Sequence, residues 1–129
     1  MSQTIANVTL LVPDYDAGIA FYVDQLGFTL LEDTTLTATK RWVRVAPPGA
    51  QTALLLAKAD GNAQEAAIGQ QTGGRVSFFL HTDNFARDYA AMRAKGITFK
   101  EEPRHEAYGS VVVFEDPFGN LWDLIEPKS

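Results

Sequence analysis

The chain repeats itself at a shift of 69 residues, and no other feature restricts its fold so strongly. The shift lays Asp14 on Asp83, Gly27 on Gly96, Phe28 on Ile97 and Pro48 on Pro117. It also lays Trp42-Val43-Arg44-Val45 on Val111-Val112-Val113-Phe114. Identity between the halves is low, yet punctuation and hydrophobic pattern recur together, as expected of one supersecondary unit used twice. Each half reads β-α-β-β-β. In the first, a strand at 8–12 leads to a helix capped by Asp14 or Asp16 and closed by Gly27, with Ile19, Tyr22, Val23 and Leu26 as its apolar stripe. Strands follow near 28–33, 40–46 and 52–57. In the second half, strands are expected near 75–81, 97–101, 110–115 and 120–126. A helix from about Asn84 to Lys95 carries the stripe Phe85, Tyr89 and Met92. The expected fold is α+β: two βαβββ modules, about 4–58 and 74–127, joined by a linker at about 59–73 within a single domain. Together they would make a curved eight-stranded mixed sheet, with helices on the outer face and a ligand cup inside.

Strand alternation assigns the faces. Val8, Leu10 and Val12 form an apolar set suited to a helix, which leaves Asn7, Thr9 and Leu11 in the cup. Trp42 and Arg44 oppose Val43 and Val45, and a charge under a helix is costly, so both are assigned to the cup. The repeat shift carries these assignments to Val76, Phe78 and Leu80, and it pairs Leu54 with Asp123. Leu54 and Leu56 thereby join the cup, and His81 falls on the helix side. The turn Asp116-Pro117-Phe118-Gly119-Asn120 leads into the last strand, where Asp123 shares a face with Leu121 and Ile125. A carboxylate on such a strand needs a reason.

Composition narrows the function classes. A net charge of −5 disfavours a nucleic-acid partner. No apolar run reaches the roughly 18 residues of a membrane span. There is no cysteine, which removes thiol catalysis and cysteine metal sites and fits a cytoplasmic location.

The duplicated halves, Val12-Pro13-Asp14 leading to Phe21-Tyr22 and Leu26-Gly27-Phe28, and the closing Asp116-Pro117-Phe118-Gly119-Asn120 resemble the vicinal oxygen chelate superfamily. That superfamily contains glyoxalase I, extradiol dioxygenases, fosfomycin-resistance enzymes and bleomycin-binding proteins. The resemblance implies a homodimer. It also implies a divalent-metal position, which falls here on Asn7, Leu54 (Leu55 if the turn differs by one residue), Val76 and Asp123. Only Asp123 is an ordinary ligand, whereas a catalytic divalent ion generally takes about three. No cofactor is therefore expected.

The leading expectation is a metal-independent protein binding a hydrophobic or aromatic small molecule. Asn7, Trp42, Arg44, Leu54, Val76, Phe78, Arg104, Tyr108 and Asp123 would contact it. Arg44 would orient an anionic group, or else pair with Asp123 or Glu115. The segment 103–109 is either a solvated loop or a lid, with Arg104 gripping an anion and Tyr108 closing on the ligand. Two alternatives are an enzyme of the metal-dependent lyase or dioxygenase type, and a metal-free enzyme using Asp123 or Tyr108 as acid/base.

Overall fold

The computed structural model describes residues 2–128. The chain divides into two compact units, residues 1–68 and 69–129, so the expected linker is shared between them. The first contains β1 (Asn7–Val12), α1 (Tyr15–Ile19) running into a π-helical segment (Ala20–Gln25), β2 (Thr29–Thr35), β3 (Arg41–Ala46), β4 (Ala53–Lys58) and α2 (Asn62–Ala67). The second contains β5 (Val76–His81), α3 (Phe85–Ala94), β6 (Thr98–Phe99), β7 (Arg104–Glu106), β8 (Gly109–Glu115) and β9 (Leu121–Pro127). The α+β class and the βαβββ order of each module agree with the sequence reading. The described residues form nine strands rather than eight, in one sheet of four and one of five. The added strand is β7, inside the segment expected to be a loop.

In the first module the strand order is β1-β4-β3-β2, with β1 and β4 parallel and the other pairs antiparallel. Asp14 caps α1, its Oδ1 accepting from the Ala17 N–H at 2.7 Å. The helix then widens. The Leu26 N–H reaches back five residues to the Phe21 carbonyl at 2.8 Å, the spacing of a π-turn. Widening alters the helical period, so adjacent Phe21 and Tyr22 are both buried while Ile19, Val23 and Leu26 are only half-buried. The expected stripe is corrected accordingly. Leu10, Val12, Val43, Val45, Leu54 and Leu56 complete this core.

In the second module the order is β5-β9-β8-β6, and β7 pairs with the other end of β8. Asn84 caps α3 through a 3.0 Å bond from the Arg87 N–H. Phe85 and Met92 are buried, and Tyr89 stacks on Phe85 with centroids 5.8 Å apart, as the expected stripe requires. Phe114 and Trp122 stack at 5.7 Å beside Val112 and Leu124 in the core.

The turn between β8 and β9 is held by one buried carboxylate. Asp116 Oδ1 accepts from the backbone N–H groups of Phe118 (2.9 Å) and Asn120 (2.8 Å). Its Oδ2 accepts from Asn120 Nδ2 at 2.7 Å. Gly119 sits at φ 102°, a conformation that L side chains rarely adopt. The turn launches Leu121 with a defined register and so decides which way Asp123 points.

Candidate functional site

Each sheet has one helix-covered face and one open face. In the first module, Val43 faces Leu56 and Val45 faces Leu54 across the β3–β4 ladder, whereas Arg44 faces Leu55. A Cβ on Gly18 of α1 would lie 2.9 Å from Leu56 Cδ1, which places Leu56 on the helix side. Leu54 and Leu56 therefore leave the open face. The leucine there is Leu55, level with Thr9 of β1. The placement of Asn7, Thr9, Leu11, Trp42 and Arg44 on the open face agrees with the sequence reading.

Arg44 does not reach for Asp123 or Glu115. Its Nε donates to Asn7 Oδ1 at 2.8 Å, and its Nη1 lies 3.2 Å from Glu32 Oε1. Its charge is matched within the module. Along the same strand, Arg41 forms a fork on Asp33 (3.1 and 2.7 Å), reaches Asp16 at 2.9 Å and lies over the Tyr15 ring. These hydrogen bonds, that of Asp33 first, raise the Arg41 pKa, and the same pairing lowers that of Asp33. Two open clefts of about 340 and 520 Å³ share Tyr15, Thr39 and Lys58, and Arg41 lines the smaller of them.

In the second module a β-bulge decides the faces. The β5–β9 register breaks between Val76 and Phe78, so Val76 aligns with Leu121, but Phe78 aligns with Trp122 and Phe79 with Asp123. Val76 stays on the Asp123 face. Phe78 and Leu80 turn to the helix side, where the Phe78 ring lies 4.5 Å from Trp122. Phe79, 62% exposed, takes the open face together with His81. The expectations for Phe78, Leu80 and His81 are thus reversed. Phe79 was missed because alternation alone carries no sign of a bulge.

Arg104 of β7 aligns with Val111, which aligns with Ile125, so Arg104 lies on the Asp123 face. Its Nε donates to Glu101 Oε2 at 3.0 Å, and its Nη1 lies 3.4 Å from Glu106 and 3.5 Å from Tyr108 Oη. The Glu101 bond, then that of Tyr108, raises its pKa. Tyr108, 55% exposed, stands at the tip of the β7–β8 hairpin. His105 lies on the opposite face, its Nδ1 2.9 Å from Ser110 Oγ and its ring edge-on to Phe85.

Asp123 is the exception among these polar groups. Its Oδ1 is buried, and no group among the described residues hydrogen-bonds to it. Burial pushes its pKa up; Arg104 acts in the opposite direction, and Glu101 reinforces the rise. A carboxyl with a raised folded-state pKa favours the folded protein most when protonated, and that contribution is lost as pH rises through its titration. Asp123→Asn is therefore expected to raise the thermal midpoint by a few degrees at neutral pH. The gain should shrink as pH falls through the Asp123 titration, which melts across a pH series would show.

The donors at the family's metal positions do not fit a catalytic divalent ion. The first module offers Asn7, whose Oδ1 is taken by Arg44, and the aliphatic Leu55. The second offers Val76 and the single carboxylate of Asp123. Among the described residues, no three His, Cys, Asp or Glu side chains gather as a ligand set.

The family model for the Glyoxalase/Bleomycin resistance protein/Dioxygenase superfamily matches residues 4–124. The chain belongs to this superfamily. A relative from Shewanella frigidimarina, described as an uncharacterized protein, is 51% identical over 128 residues, covering 98% of this chain and 95% of the relative. Among solved structures, UcmS2 aligns with a TM-score of 0.85 at 30% identity, over 98% of this chain and 99% of that one. TnmS3, an antibiotic binding protein from Streptomyces sp. CB03234, aligns with a TM-score of 0.79 at 28% identity, over 98% of each chain. Membership of the superfamily establishes the fold, while chemistry has to be argued from the side chains.

Proposed function

We propose that this protein is a metal-independent binder of a hydrophobic or aromatic small molecule. The observation that carries the reading is the makeup of its open sheet faces, where charged and hydrogen-bonding groups are interspersed with apolar and aromatic side chains. Trp42 and Leu55 supply them in the first module, and Val76, Phe79, Val113 and Ile125 in the second. The unsuitable donor set at the family's metal positions supports metal independence, and the likeness to an antibiotic binding protein supports a small-molecule role. The reading includes a homodimer, as the family resemblance implies, and a cytoplasmic location, which the absence of cysteine fits.

The test is a titration with N-phenylnaphthylamine, a neutral aromatic probe whose emission rises when it leaves water. Trp42→Ala and Phe79→Ala each remove an aromatic wall from one open face. Loss of such a wall from the ligand-carrying face should weaken binding about tenfold. Saturable binding that neither substitution affects would contradict the reading. A second reading, a metal-free enzyme with Asp123 as its acid/base, draws on the raised pKa of that residue. Recovery of the natural ligand chemically unchanged after incubation separates binder from enzyme.

A further inference from the structure

We propose that the open face of the second module selects an aromatic ligand bearing a hydrogen-bond-donating cation, an ammonium or amidinium group, with Asp123 as the residue that determines this specificity. The inference rests on the small-molecule-binding reading and names the ligand class.

A buried carboxylate oxygen with no donor is unfavourable, and native structures rarely leave one without a purpose. Asp123 Oδ1 is in that position among the described residues. An N–H of a bound cation would supply the missing partner, and a charge-assisted bond of this kind is stronger than a neutral one. A ligand carboxylate or phosphate would instead place like charge against Asp123.

The charge balance around Asp123 also favours a cation. Arg104 contacts both Glu101 (3.0 Å) and Glu106 (3.4 Å), and Lys100 lies 3.6 Å from Glu115. Two cations thus stand among four carboxylates once Asp123 is included, leaving an excess of negative charge. Neither cation is free to receive an anion. Arg44, on the open face of the first module, is likewise matched by Glu32. The arginines that sequence reasoning offered to an anionic ligand are both committed to carboxylates.

Asp123 aligns with Phe79 on one side and Val113 on the other. An exposed phenyl ring beside a carboxylate suits a flat cation, which the ring face attracts while the carboxylate accepts its N–H. The upward pull of burial on the Asp123 pKa agrees with this arrangement, since a bound cation would restore the charged form.

Three probes of one shape provide the test: naphthylmethylammonium, naphthylmethanol and naphthylacetate, titrated at physiological salt into the wild-type chain, Asp123→Asn and Asp123→Ala. The wild type should bind the ammonium about tenfold more tightly than the acetate, with the neutral alcohol between them. In both variants this preference should collapse to about threefold or less, through weaker binding of the ammonium and tighter binding of the acetate. Equal or tighter binding of the acetate would overturn the inference and leave the small-molecule reading standing. A cation preference that survives in both variants would overturn the role of Asp123. Binding of none of the probes by the wild type would remove the open-face reading itself, and the inference with it.

Discussion

Asp116→Ala is expected to lower the unfolding free energy by about 3 kcal/mol, because it strips three donors of their acceptor inside the protein. Asp116 is 3% exposed and Asn120 2%, so water cannot readily replace the lost bonds. The Phe118 and Asn120 N–H groups and the Asn120 side-chain amide all lose their partner. Only backbone bonds that do not involve the carboxylate survive the change, from the Asp116 N–H to the Asn120 carbonyl (3.0 Å) and from the Gly119 N–H to the Asp116 carbonyl (3.3 Å), among those that close the turn. Asp116→Asn should be milder, since an amide oxygen still accepts from the backbone. Urea unfolding followed by circular dichroism measures both. A loss under about 1 kcal/mol for the alanine variant would mean that the turn is held by other groups.

Gly109→Ala is expected to cost about 2 kcal/mol, through overpacking against backbone that has little room to move. Gly109 has φ 150°, and a methyl group there would drive into the Glu126 carbonyl oxygen while lying 3.1 Å from the Glu126 carbonyl carbon and from Pro127 Cα. Gly109 aligns with Pro127 at the end of the β8–β9 ladder and with Glu106 across the β7 hairpin. Relief of the clash must therefore open one of these pairings. The adjacent Tyr108 carbonyl accepts from the Lys128 N–H at 3.0 Å, so hydrogen exchange at Lys128 should quicken along with the loss of stability. Because the hairpin carries Arg104 and Tyr108, probe binding on the Asp123 face should weaken as well. Unchanged exchange at Lys128 would show that the strand end absorbs the methyl without opening.

The sequence was most legible where the two faces of a strand differ chemically. In β1 and β3, Leu10 and Val12 or Val43 and Val45 alternate with polar or charged residues, so Asn7, Thr9 and Arg44 could be placed by parity. The last strand was equally clear, since Trp122 and Leu124 flank an acid. In β4, three consecutive leucines leave parity undetermined, and the length of the preceding turn chose Leu55 over Leu54. Val76-Ser77-Phe78-Phe79-Leu80 is apolar on both faces. Copying the first module's phase onto it failed because the second module has a bulge there and β1 pairs without one. The charged run Arg104-His105-Glu106 reads as loop by composition, yet edge pairing with β8 makes it a strand. A π-turn leaves no pattern that a 3.6-residue period would detect, which is why Phe21 went unrecognised as core beside the expected Tyr22.

Ligand binding without metal is tested most directly by one titration performed under two conditions. The probe is N-phenylnaphthylamine. The protein is first stripped by prolonged dialysis against chelator, then supplied in turn with Mn²⁺, Fe²⁺, Ni²⁺ and Zn²⁺. The account predicts saturable binding with the same affinity in the stripped and the supplied protein, and no metal retained at stoichiometric level after gel filtration. Binding that disappears on stripping and returns with one of these ions, together with retention of that ion by the wild type but not by Asp123→Ala, would contradict it.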